Sequence, residues 1–181
     1  KFVHHKKGEE VRLEANKDYW GGAPYLDAVV MKPIPETGAR VMALESGQVH
    51  AIYHVPPRDA ERLKADKRFE ILTPGQQRSM FVGFNVTKPP FDNKLVRQAM
   101  NYAVDKKAIV DRIFLGIAKI ADSPVPYTGY GYLPTKSYDY NPEKAKQLLK
   151  EAGYPSGFEV TLHASPGRFL MDAEVIEAVQ S

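Results

Sequence analysis

Apolar and polar positions alternate with period two over Val11, Leu13 and Ala15, set against Arg12 and Glu14, which predicts a half-buried strand in a segment that begins near Val3. The same pattern predicts strands at 26–32, closed by Pro33, at 49–55, at 69–72, at 79–86 and at 158–162, where Phe158, Val160 and Leu162 form the inner face. Between them the period lengthens to that of a helix. Residues 37–45 carry Val41 and Leu44 on one face, with Thr37 as cap and Gly47 at the end; Pro56-Pro57 opens a short helix to about 65. Leu95, Ala99, Tyr102 and Ala103 share a face of a helix at 94–103 capped by Asp92 or Asn93, and Asp105 caps the next, with Ile109, Val110, Ile113 and Phe114 inward. The strongest helix signal starts at Asn141-Pro142, runs through Ala145, Leu148, Leu149 and Ala152, and stops at Gly153 with Pro155 behind it. Val175, Ile176 and Val179 mark a last helix at 172–181. Strands alternating with helices define an α/β class.

One segment breaks the alternation. The run Met80 to Val86 ends in Asn85-Val86-Thr87-Lys88-Pro89-Pro90, where neither proline donates to a sheet ladder and each fixes its own φ. Strand, Pro-Pro turn, helix, helix reads as a crossing from one structural unit to the next. Composition changes this picture little. In 181 residues, 43% apolar and 26% charged, there is material for one good core or two small ones. The net charge of +3 is spread along the chain and names no acidic partner. Zero cysteines exclude a disulfide framework, a thiolate metal site and a thiol nucleophile. No apolar run approaches the roughly 20 residues of a membrane span. Both ends look cut, so the chain is expected to be an internal piece of a longer protein.

Five blocks in order resemble the extracytoplasmic solute-binding proteins of family 5, the peptide/nickel-binding components of ABC importers. They are Lys1-Phe2-Val3; Asn16-Lys17-Asp18-Tyr19-Trp20 within 14–22; Ala43-Leu44-Glu45-Ser46-Gly47-Gln48-Val49; the crossing segment from Phe84 to Ala103; and Tyr140-Asn141-Pro142 through Gly153-Tyr154. His50 departs from the family's usual Asp. The resemblance implies a type II periplasmic-binding-protein-like fold of the peptide-binder class: two α/β lobes joined by a crossover strand, incomplete in this chain. It assigns residues 1–85 to the first lobe and 86–181 to the start of the second, with a hinge at Phe84, Asn85 and Val86. The implied function is capture of short peptides outside the cytoplasmic membrane and delivery to an ABC permease, by a protein either free in the periplasm or anchored as a lipoprotein. The alternatives are another small solute (an oligosaccharide, a nickel complex) or, from another class, an enzyme or sensor domain on the same fold.

Candidate contacts follow from position. Ser165-Pro166-Gly167-Arg168 lies where a strand's carboxyl end meets a helix, the edge that faces the crevice in open α/β sheets. Arg168 there suits a peptide carboxylate, or else an internal pair with Asp172 or Glu174. Gln76, Gln77 and Arg78 lead into the crossing strand, with Arg78 and Gln77 as contacts or Arg78 as a solvated turn residue. Tyr127, Tyr130 and Tyr132 stand in a Gly/Pro loop at 118–140 with no helix or strand face to fill. Two of the three are expected to pin the loop, and Tyr127 and Tyr130 are carried as contacts. Tyr19-Trp20 reads as a turn anchor rather than a sugar platform. His50 and His54 would stand roughly 13 Å apart on a strand at about 3.3 Å per residue, too far for one ion, and His4 and His5 would point to opposite faces. No metal site and no cofactor are therefore expected. No nucleophile elbow, zincin motif or P-loop occurs, and the tyrosine loop lacks the basic residues of a nucleic-acid binder. The isolated piece is expected to self-associate through unpaired strand edges.

Overall fold

Three short strands at the amino terminus form an antiparallel meander, because each is joined to the next without a crossover. A computed structural model describes residues 1–75 and 78–181. β1 (Phe2–Lys6) pairs with β2 (Glu10–Glu14), and β2 with β3 (Ala28–Met31), with Leu13 opposite both Phe2 and Val29. Gly8, at φ +79°, supplies the left-handed residue in the β1–β2 turn. α1 (Thr37–Glu45) buries Val41 and Ala43, while Leu44 is half-buried. Its cap position is Glu36, and Thr37 is the first helical residue, its hydroxyl accepting from Arg40 at 3.1 Å. Gly47 ends the helix at φ +74° and donates to the Leu44 carbonyl.

Residues 1–53 form one compact unit and residues 54–181 another. In the second, α2 (Pro57–Lys64) buries Leu63 and α3 (Lys94–Ala103) buries Val96 and Ala99. Asn93, not Asp92, caps α3, accepting from the Leu95 amide at 2.9 Å. Asp105 caps α4 (Lys106–Ala108) by accepting from Ala108 N at 2.9 Å, and the chain continues as a π-helical turn, Ile109–Ile113. α5 (Pro142–Glu151) packs on α3, joining Ala99, Ala145 and Leu148 in a core flanked by Leu95, Tyr102 and Leu149. Its ends are closed as the sequence requires. Asn141 Oδ1 accepts from Lys144 N at 2.9 Å, Gly153 takes φ +91°, and Tyr154 N reaches back to the Leu149 carbonyl at 2.8 Å. Lys106 Nζ donates to the Asn101 and Tyr138 carbonyls, tying the end of α3 to the segment before α5. Burial lowers its pKa, and the Asp139 charge opposes that. α6 (Asp172–Gln180) packs against the π turn with Val175, Ile176 and Val179 half-buried.

The strands expected at 49–55, 69–72, 79–86 and 158–162 form no ladders among the described residues. Alternation shows which side chains would share a face, but a strand also needs a partner backbone for its N–H and C=O groups. Phe81, 83% exposed, shows the consequence: an apolar face with nothing laid over it.

Candidate functional site

The loop ahead of α6 is organised by the first residue of the helix itself. Asp172 is 8% exposed; its Oδ1 accepts from Gly167 N at 3.0 Å, and its Oδ2 from Arg168 N at 2.8 Å and Phe169 N at 2.9 Å. Gly167 at φ +87° and Met171 at φ +57° turn the chain so that these amides converge. Burial alone would raise the Asp172 pKa. Hydrogen bonds from Phe169, Gly167, Arg168 and Ala173 outweigh it and hold the carboxyl below its ordinary value. The amides of the loop ahead of this helix are thus taken up by the helix's own carboxylate. The expected internal pair between Arg168 and Asp172 is corrected accordingly: the backbone N–H makes the bond. The Arg168 guanidinium stays exposed, its Cζ 5.5 Å from the Phe169 ring centre.

A stability prediction follows. A carboxyl with a lowered folded pKa contributes stability that is present above its unfolded value, near 3.9, and is lost as pH falls through the folded value. Thermal unfolding of the native protein and of Asp172→Asn should therefore differ clearly at pH 7 and converge in acid.

The tyrosine loop is pinned at its base. Tyr132 donates its hydroxyl to both Asp122 oxygens at 2.9 Å, and Thr135 bonds the Asp122 carbonyl through its amide at 3.0 Å and through its hydroxyl. The hydrogen bond to Asp122 raises the Tyr132 pKa, with burial and the Asp122 charge adding to it. Higher up, Lys119 Nζ sits 4.3 Å from the centre of the Tyr127 ring. The Pro74-Gly75 turn packs against the same place: a Cβ on Gly75 would lie 2.6 Å from Thr128 Cγ2 and 3.1 Å from the Tyr127 hydroxyl. Tyr130 is fully exposed. The structure therefore brings Gly75 onto the tyrosine loop, and Arg78 is exposed. Gln76 and Gln77 lie outside the described residues. Arg168 stands on its own loop, ahead of α6.

At the crossing, Phe84 stacks on Phe91 with centres 4.9 Å apart, Phe91 meets Phe158 edge-on at 6.0 Å, and Phe158 meets Tyr154 at 5.3 Å. Asn85 Oδ1 accepts from the Thr87 amide at 3.1 Å and hydroxyl at 2.8 Å, an Asx turn that leads into a cis Pro89–Pro90 bond. Arg97 Nη1 holds the Phe91 and Asp92 carbonyls at 2.7 and 2.9 Å. Sequence reasoning missed this cluster and the Asp172 hydrogen bonds; the spacing of Phe84, Phe91 and Phe158 follows no local period. In the first unit, two open depressions flank the sheet, one beside Arg12, Glu14, Lys17 and Asp27, the other beside Lys6, Glu10, Val11 and Met31. Neither holds a candidate residue. His4 is half-buried against Glu10, Nε2 to Oε1 2.9 Å, and this hydrogen bond lowers the Glu10 pKa.

Comparison with known proteins places this geometry. The profile of the family described as bacterial extracellular solute-binding proteins, family 5 Middle, matches residues 1–181. Heme-binding protein A of Haemophilus influenzae is 39% identical over 166 residues, 91% of this chain but 30% of its own. Among solved structures, the oligopeptide-binding protein AppA from Bacillus subtilis in complex with a nonapeptide superposes with a TM-score of 0.80 at 29% identity, over 99% of this chain and 38% of AppA. The ABC transporter-associated periplasmic binding protein DppA from Helicobacter pylori, in complex with the peptide STSA, gives 0.75 at 31%, over 99% and 36%. The chain thus spans about a third of the length of the relatives it matches.

Proposed function

The chain belongs to the bacterial extracellular solute-binding proteins of family 5 and is a partial piece of their type II fold, and from that membership we propose that the full-length protein captures short peptides outside the cytoplasmic membrane. It delivers them to the permease subunits of an ABC importer. The observation that carries this is the likeness, over nearly the whole chain, to two proteins solved with peptides bound. The activity proposed is binding; the relatives are solute-binding proteins. The protein works in the periplasm or on the outer side of the membrane, free or held by a lipid anchor, and among the described residues no helix is long and apolar enough to cross a bilayer.

Within this frame residues 1–85 belong to one lobe and 86–181 to the start of the other, with Phe84, Asn85 and Val86 as the hinge. The Pro89-Pro90 pair and the Asn93-capped start of α3 just beyond support this, since a hinge bends beside stiffer neighbours. Arg168 supplies an exposed guanidinium on a loop fixed through its backbone, suited to a peptide's terminal carboxylate. Arg78, Gln77, Tyr127 and Tyr130 supply adaptable polar and aromatic contacts.

A second reading has one observation behind it: the relative named heme-binding protein A points to a non-peptide solute. Equilibrium titration of the full-length protein separates the two. Short peptides with free ends should bind and compete with one another. Saturable binding of heme with no competition from peptides would reverse the choice.

A further inference from the structure

Asp172 is the most buried charged residue among those described, yet its carboxylate faces no cation: its partners are the amides of Gly167, Arg168 and Phe169. Beside the Ala173 amide of its own helix, the carboxylate takes those of Arg168 and Phe169, so the bonds fix the peptide planes on both sides of the Arg168 Cα. This has two consequences. The root of the Arg168 side chain is held while its head stays exposed beside the Phe169 ring, the arrangement that lets a long side chain meet a ligand with little backbone left to order. And the amides that would otherwise attract a ligand's anion are already occupied by a carboxylate, which leaves the guanidinium as the attractive group of this loop.

We propose that Asp172 is a positioning residue for ligand capture, acting through Arg168 by fixing the 167–169 backbone. It rests on the carboxylate-binding role given to Arg168 above. Asp172 touches no ligand itself. Its effect should therefore appear only for ligands that use Arg168.

The test uses the full-length protein and two probes: an equimolar mixture of tri- to pentapeptides with free carboxyl ends, and the same mixture amidated. The native protein should prefer the free acids, and Arg168→Ala should lose that preference. Asp172→Ala should weaken free-acid binding about tenfold, leave the amidated mixture unchanged, and add nothing further on top of Arg168→Ala. Asp172→Asn keeps one acceptor oxygen and should fall between; if the alanine variant does not fold, this variant gives the answer. Amide hydrogen exchange at 167–169 should speed up in either variant without ligand, and unchanged exchange would overturn the proposal. Equal weakening toward both mixtures, or additivity with Arg168→Ala, would reduce Asp172 to a purely structural part and overturn it as well. If Arg168→Ala keeps the preference for free acids, or the native protein binds neither mixture, the ligand role of Arg168 fails first and this proposal with it. If Arg168→Ala loses the preference and Asp172→Ala keeps it, the positioning role alone fails.

Discussion

A chain limited to residues 1–181 will give no measurable heat with peptides that the full-length protein binds, and will run larger than a monomer. The binding half of this expectation comes from the share of the protein present. The chain spans 36–38% of the peptide-bound relatives, and the remainder is expected to supply much of a ligand's surroundings. Fixing a ligand costs about 4–15 kcal/mol before any contact is counted, and a partial set of contacts rarely exceeds that. The association half comes from the surface. β1 and β3 are the edges of the meander, and Phe2, Val29, Val30 and Met31 on those strands are exposed. Phe81 and Val82 add an apolar segment without a ladder. Unpaired edges and uncovered apolar patches recruit other chains. Calorimetry and light scattering check both halves. Tight binding by a monomeric 1–181 chain would mean that the site lies within this piece.

The second large effect is on stability. Leu148 is 6% exposed and packs with Ala99 and Ala145 at the α3–α5 contact. Leu148→Ala removes three carbons from a site whose neighbours are already small, so the gap has little to fill it. The opening free energy of α3 and α5 should drop by about 2–5 kcal/mol. Native-state hydrogen exchange of the full-length protein reads that directly at the α3 and α5 amides. Lys146→Ala on the exposed face of α5 breaks only a solvent-exposed pair with Glu143 and should leave exchange within about 0.5 kcal/mol. An equal response to both substitutions would show that the contact is not the core of this unit.

Local chemistry was readable from the sequence wherever four or five residues decide it. Asn93, Asp105 and Asn141 each accept from an amide two or three residues ahead, and Gly153 needs only its own freedom to reach φ +91°. Residues 79–86 show the opposite case. Their alternation is real, but a ladder depends on a partner that need not be near in the chain, and none of the described residues supplies one. Asp172 shows a third kind of difficulty. A carboxylate four residues after an arginine suggests an ion pair, and only the turn made by Gly167 and Met171 sends the amides to it instead. Tyr127, Tyr130 and Tyr132 in the 118–140 loop were alike in sequence. Their roles separate through Asp122 for Tyr132, Lys119 and Gly75 for Tyr127, and open solvent for Tyr130. Nothing in a Gly/Pro-rich tract encodes those choices locally.

Peptide capture by the full-length protein is tested most directly by native mass spectrometry of the protein as purified, before any dialysis. The expected spectrum shows bound mass spread over a mixture of short peptides, released on unfolding and sequenced by fragmentation. A single uniform mass belonging to a sugar, a heme or a metal complex would contradict it.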